Sequence, residues 1–296
     1  MREIYGEIAD RLRNGLPCAV ATLVAARQAA PASIGTSILV DSDGSFIGNI
    51  GAGCHEAELV ESARAALRDG SPRTIDFDVT DELLDGSSCG AFLTVGIWLP
   101  DPGFAAVADR IVAGEEPVDF ACGAHIIRIE RKRRLVLVGA TDLAAHLTRA
   151  ANASDFSVTI VDPRPAFATT RRHSDAQCVL VAWPDDVLPS LLSDTSAIVV
   201  VAHDAKIDLP ALRCALESDV AYIGLLGSRR SQSVRGKSLQ ELGYSAGTLA
   251  RIHGPAGLDV GAISNAQVAC SILAEILTVL NDRSAAQLRS LPGPIH

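Results

Sequence analysis

The chain has 296 residues, 48% of them hydrophobic, a mean hydropathy of +0.24 and a formal net charge of −9. That length suits two domains, each large enough for a core of its own. The acidic balance argues against nucleic acid, which asks for a basic face, and no apolar run reaches the roughly 18 residues that span a bilayer.

The start, Met1-Arg2-Glu3, lacks the basic-then-apolar order of a secretory signal, so a soluble cytoplasmic protein is expected. Residues 1–15 read as a short amphipathic helix and Ala19 to Ala26 as a strand. Thr36–Val40 and Ser45–Ile50, with Asp41-Ser42-Asp43-Gly44 between them, read as a hairpin. Gly51-Ala52-Gly53-Cys54-His55 leads into a helix over Glu56–Arg68. Strands are expected at Arg73–Val79 and Ala91–Leu99, joined through the polar loop Asp85 to Gly90. The segment 101–132 is weakly patterned, with one further strand at His125–Ile129. This first unit, residues 1–130, reads as α+β. The boundary falls in the basic stretch Arg128–Arg134.

From residue 131 the pattern alternates. Strands at Leu135–Val138, Ser157–Val161, Gln177–Ala182, Ala197–Ala202 and Ala221–Leu225 are continuous apolar runs. Helices are expected near Leu143–Ala151, Val187–Leu192, Pro210–Leu216 and Ser231–Leu242. Such runs belong to a parallel sheet covered on both faces. Alternating β and α elements make it a Rossmann-like doubly wound α/β domain. A last helix, Gln267–Leu280, follows Ser264, with Gln267 completing a capping box.

The chemistry is expected at the carboxyl ends of those strands. The first βα turn reads Gly139-Ala140-Thr141-Asp142-Leu143-Ala144. A dinucleotide fingerprint wants glycine where Thr141 stands, because a Cβ there obstructs a pyrophosphate. Asp142 adds negative charge where a helix N-terminus would otherwise receive an anion. Asp162 closes the second strand near the place of a ribose-binding carboxylate. NAD(P) is therefore conceivable but disfavoured. His203-Asp204 ends the fourth strand, in the crevice where open α/β sheets hold ligands. Gly227-Ser228-Arg229-Arg230 follows the fifth strand and opens a helix, so N–H groups, a hydroxyl and two guanidiniums converge on a potential phosphate or carboxylate. The loop Arg251–Gly261 is glycine-rich and offers His253 and Asp259 as ligand contacts.

Seven cysteines, with no CxxC pair, support neither a disulfide framework nor a structural zinc site, and no metal ligands are assigned. Cys54 precedes a helix, a position that favours the thiolate. Cys89 lies in a second glycine-flanked loop. Either could bind a soft metal or carry a persulfide.

Taken together, Tyr222-Ile223-Gly224-Leu225-Leu226-Gly227-Ser228-Arg229-Arg230, Arg251 to Gly261, Val161-Asp162-Pro163-Arg164-Pro165, His203-Asp204, Gly53-Cys54 and Cys89-Gly90 resemble the XdhC/CoxI family over almost the whole chain. The resemblance implies an accessory protein of xanthine dehydrogenase or carbon monoxide dehydrogenase, a dimeric carrier rather than a turnover enzyme. Such a protein binds the molybdenum cofactor (molybdopterin), protects it during sulfuration, with a cysteine desulfurase as a further partner, and passes it to the molybdoenzyme. The cofactor's phosphate would then sit at Ser228, Arg229 and Arg230, and its molybdenum–dithiolene end near Cys54 or Cys89. The chain departs from the family at Thr141-Asp142, where Gly-His is usual, and at Ala91, where a second glycine usually follows Cys89-Gly90. Two other readings stand beside this one: an NAD(P)-dependent oxidoreductase and a sulfur carrier acting through Cys54.

Overall fold

A computed structural model describes residues 2–27, 32–50, 56–79 and 91–291. One compact unit spans Met1–Arg131 and a second Lys132–Leu291. In the first, α1 (Glu3–Arg13), β1 (Cys18–Arg27), β2 (Ser37–Asp41), β3 (Phe46–Gly48), α2 (Glu56–Asp69), β4 (Arg73–Val79) and β5 (Ala91–Trp98) follow one another. The weakly patterned stretch holds α3 (Phe104–Ala113) and β6 (Val118–Cys122) in addition to the expected strand, β7 (His125–Ile129).

The strands pair antiparallel in the order β3-β2-β1-β5-β4. Strand β1 is buried on both faces, which explains its unbroken apolar run. Ala19, Ala21 and Leu23 face a cluster with Leu59, Ala63 and Ala66 of α2. Val20 and Val24 face the opposite cluster, built from α1, α3 and the β6–β7 hairpin. On that side Thr22 is fully buried, and its Oγ1 accepts the Trp98 indole N–H at 2.9 Å. Phe104 and Phe120 pack on Trp98 with centroids 4.7 and 5.6 Å away.

The second unit runs β8 (Arg133–Val138), α4 (Asp142–Asn152), β9 (Phe156–Val161), β10 (Cys178–Leu180), α5 (Pro184–Leu191), β11 (Ala197–Val200), α6 (Ala205–Leu216), β12 (Tyr222–Leu225), α7 (Arg229–Glu241), α8 (Ala246–Leu249), β13 (Ile252–His253) and α9 (Asn265–Leu280). All six strands are parallel, in the order β10-β9-β8-β11-β12-β13. Leu135 and Leu137 point into a cluster with α4 and α9, and Val136 and Val138 into one with α5, α6 and α7. The strand order reverses between β8 and β11, so the ligand crevice of this architecture lies beyond their carboxyl ends.

Three details differ from the sequence reading. Strand β13 was expected as loop; its two residues become strand by pairing with Ile223 and Gly224 of β12. Strand β11 stops at Val200, before His203 turns the backbone at φ +58°. Helix α6 starts at Ala205 and carries Pro210 inside it, not at its start.

Candidate functional site

The first βα turn is closed by its own chain. Gly139 has φ +113°, and a Cβ there would lie 2.6 Å from both the Cα and the N of Ala202. The loops after β8 and β11 thus touch at the switch point. Thr141 caps α4, its hydroxyl accepting the Ala144 N–H at 3.3 Å. Asp142 lies in the first helical turn and pairs with Arg172 at 3.4 Å. Both residues serve the helix end where a dinucleotide fold would leave it open.

Asp162 is wholly buried, and its carboxylate is taken up internally. It accepts the Ala140 N–H at 2.7 Å and the Arg164 N–H at 2.9 Å. The Arg164 guanidinium adds a bidentate pair at 2.9 and 2.7 Å. Burial pushes this carboxyl up, but the Arg164 side chain, the two backbone N–H groups and the guanidinium charge outweigh it and hold Asp162 below the usual carboxylate range. The residue expected at a ribose therefore ties the β9 end to the first turn. Arg164, one-third exposed, stacks over Phe167 with its central carbon 4.3 Å from the ring centroid.

At the end of β11, His203 is exposed and Asp204 caps α6, accepting the Lys206 N–H at 3.0 Å. One turn on, Asp208 is 1% exposed and pairs with Arg235 of α7, whose Nε donates at 2.8 Å and whose Nη2 donates to the same oxygen. Burial pushes the Asp208 carboxyl up, and Arg235 and His203 offset only part of that. Asp204 and Asp208 both add to the field on Arg164, so the ends of β9, β11 and α6 share one charged neighbourhood.

Ser228 caps α7, its hydroxyl accepting the Ser231 N–H at 3.2 Å. Arg229 and Arg230 are exposed and, among the described residues, have no carboxylate partner. The loop after β13 folds against this helix start. The Leu225 carbonyl accepts both the Gln232 side-chain N–H of α7, at 2.9 Å, and the Ala256 N–H, at 3.1 Å. A Cβ on Gly254 would collide with the Gln232 side chain. The loop start is thereby set against Gln232 in the first turn of α7, and His253 lies on β13 opposite Gly224 of β12, whereas Asp259 lies exposed further along.

Glu275 of α9 organises this loop. It accepts the Tyr222 hydroxyl at 2.6 Å and the Gly257 N–H at 2.7 Å, and faces His253 Nδ1 at 3.2 Å. Burial, then the bond and the charge of Glu275, push the Tyr222 hydroxyl far above its ordinary range. Sequence reasoning named neither Glu275, Arg235, Asp208 nor Arg164 as site residues. For Glu275 a signal existed: it is the one charged residue in the largely apolar helix NAQVACSILAEILTVL. Cys54 and Cys89 lie outside the described residues. Among the described residues no group of three metal-ligating side chains gathers, and no helix is long and apolar enough to cross a membrane.

These features define a class: a doubly wound parallel sheet whose dinucleotide turn is self-satisfied and whose exposed cationic edge lies after the fifth strand. Family models agree on a finer assignment. Residues 135–276 match the XdhC Rossmann domain and residues 11–78 the XdhC and CoxI family. The chain belongs to the XdhC/CoxI family. It is 28% identical over 289 residues to YqeB of Escherichia coli, covering 94% of this chain and 46% of that protein. It is 25% identical over 301 residues to the molybdenum cofactor insertion chaperone PaoD of Escherichia coli, covering 94% and 88%. A Bacillus subtilis protein named as a probable xanthine dehydrogenase subunit is 32% identical over 162 residues, covering 54% and 46%. The chain thus spans about half the length of two of these three relatives. A solved structure described as a xanthine dehydrogenase from Bacillus halodurans shares the fold, with a TM-score of 0.74 at 22% identity over 97% of this chain and 98% of that one.

Proposed function

We propose that this protein binds the molybdenum cofactor and delivers it to a molybdoenzyme of the xanthine dehydrogenase or carbon monoxide dehydrogenase type. Membership of the XdhC/CoxI family and similarity to a chaperone named for cofactor insertion support the reading. The structural observation that carries it is the pair of exposed guanidiniums at Arg229 and Arg230 beside the Ser228 cap, without a carboxylate partner among the described residues. A terminal phosphate offers such a site several acceptor oxygens, and guanidiniums match them with paired donors. The self-capped turn at Thr141 and the internally bonded Asp162 leave NAD(P) without its usual partners.

In this reading the protein acts as a cytoplasmic homodimer. A thiolate of Cys54 or Cys89 is the candidate ligand for the molybdenum–dithiolene end by its chemistry, and a cysteine desulfurase supplies sulfur while the cofactor is held. His203, Asp204 and Asp259 line the remainder of the cofactor's path. Molybdopterin should co-elute with the full chain in gel filtration. Each of Arg229→Ala and Arg230→Ala should weaken retention about tenfold or more, given about 1.5–3 kcal/mol for a hydrogen bond to a charged group. Fluorescence titration with NADH should show no micromolar binding. Retention that neither arginine variant changes would move the phosphate site elsewhere, and no retention by the wild type would end the reading.

A further inference from the structure

The Glu275 cluster does something that binding a phosphate does not require. Its Oε2 receives two donors, the Tyr222 hydroxyl and the Gly257 N–H, so this carboxylate is held as an acceptor. Its Oε1 then meets His253 Nδ1 at 3.2 Å. An acceptor oxygen at that distance places the imidazole proton on Nδ1 and leaves a lone pair on Nε2. The ring is fixed in orientation too, stacked on Tyr222 with centroids 4.6 Å apart and planes 28° from parallel. His253 is 32% exposed, and Nε2 has no hydrogen-bond partner among the described residues. Among the described residues, Tyr222 from β12 and Glu275 from α9 are the titratable groups in direct contact with the ring.

We propose that His253 is a proton acceptor at this site and that Glu275 is the positioning residue that sets its tautomer. Nε2 takes a proton from an acidic X–H group of a bound ligand, a thiol, an enol or a ring N–H. The X–H bond breaks, its electron pair stays on X, and an N–H bond forms at Nε2. The resulting imidazolium lies between the new anion and the Glu275 carboxylate, which stabilises it. The ligand class is a molecule with an ionisable X–H group that reaches the carboxyl end of the sheet, where His253 on β13 pairs with Gly224 of β12. Only the naming of that ligand as molybdopterin rests on the proposed function.

The dyad can be tested on the full chain without any ligand. In 15N NMR of ring-labelled histidine at pH 8, His253 should carry its proton on Nδ1. Glu275→Gln should shift the population toward Nε2–H, because the Gln amide can donate to Nδ1. Diethyl pyrocarbonate should modify His253 of the wild type several-fold faster than His253 of the variant. A wild-type ring protonated on Nε2 would overturn the proposal without recourse to any variant. So would a variant that folds yet matches the wild type in tautomer and reactivity. Failure to retain molybdopterin, with these results intact, would remove that ligand and leave the dyad standing.

Discussion

Gly139 and Asp162 show how single residues decide what the switch point can hold. At φ +113° any Cβ is strained, and at Gly139 it would also sit 2.6 Å from the Ala202 backbone. Gly139→Ala should therefore lower stability by more than about 2 kcal/mol in urea unfolding, combining a strained backbone with a clash that neither loop can relieve. Asp162 makes the complementary case. Its folded pKa is depressed, so it contributes stability above the ordinary carboxylate value of about 3.9, and that contribution is lost as pH falls through the folded value. Asp162→Asn should cost about 2 kcal/mol at neutral pH, discounted because Arg164 is one-third exposed. The loss should shrink steadily in unfolding curves taken below about pH 4. Asp208 works in the opposite sense: its raised carboxyl makes stability fall as pH rises from the unfolded value toward the folded one. The wild-type minus Asp162→Asn difference isolates the first effect from the second. The sequence flagged Gly139 and Asp162 by position, but it could not show that Arg164 and Ala140 already occupy the carboxylate.

At the scale of elements, helix caps were the most legible feature and unaided strands the least. Ser264 and Gln267 form the full capping box that their spacing suggests, with the Gln267 N–H 3.3 Å from the Ser264 hydroxyl. Ser264→Ala should cost about 1 kcal/mol of stability, measured by thermal or chemical unfolding. Thr141→Ala should cost somewhat less, since its bond to the Ala144 N–H, of the same 3.3 Å length, stands without a reciprocal partner. Helix α3 escaped the sequence reading because Gly103, at its N-cap, supplies no side-chain bond and Pro102 precedes it. Strand β6 does alternate between buried and exposed, but over five residues next to a glycine turn the pattern is brief. Strand β13 has no local signal at all; two residues become strand only by pairing with β12. The same limit hid the Glu275 cluster. Tyr222, His253, Gly257 and Glu275 come from four separate elements, and only the parallel sheet with α9 across it brings them together.

At the scale of the molecule, each unit has the ingredients to fold by itself. Among the described residues each hydrophobic cluster draws on one unit alone: two on residues before Arg131, two on residues after Lys132. The second unit is a sheet with helices on both faces, and a domain of roughly 150 residues buries enough apolar surface to offset its chain entropy. Its registers are set within the unit, from Arg133 pairing with Phe156 to Ile223 pairing with Ile252. The groups proposed to hold the cofactor phosphate, and the His253–Glu275 dyad, lie in it as well. Residues 132–291 expressed alone should therefore unfold in one cooperative transition, with far- and near-ultraviolet circular dichroism changing together. The isolated unit should also preserve the Nδ1–H tautomer of His253, because Tyr222, Gly257 and Glu275 all belong to it. Coincident transitions with a lost tautomer preference would mean that residues before Arg131 help to shape the dyad. Separated transitions would mean that the sheet needs the first unit to become a cooperative fold.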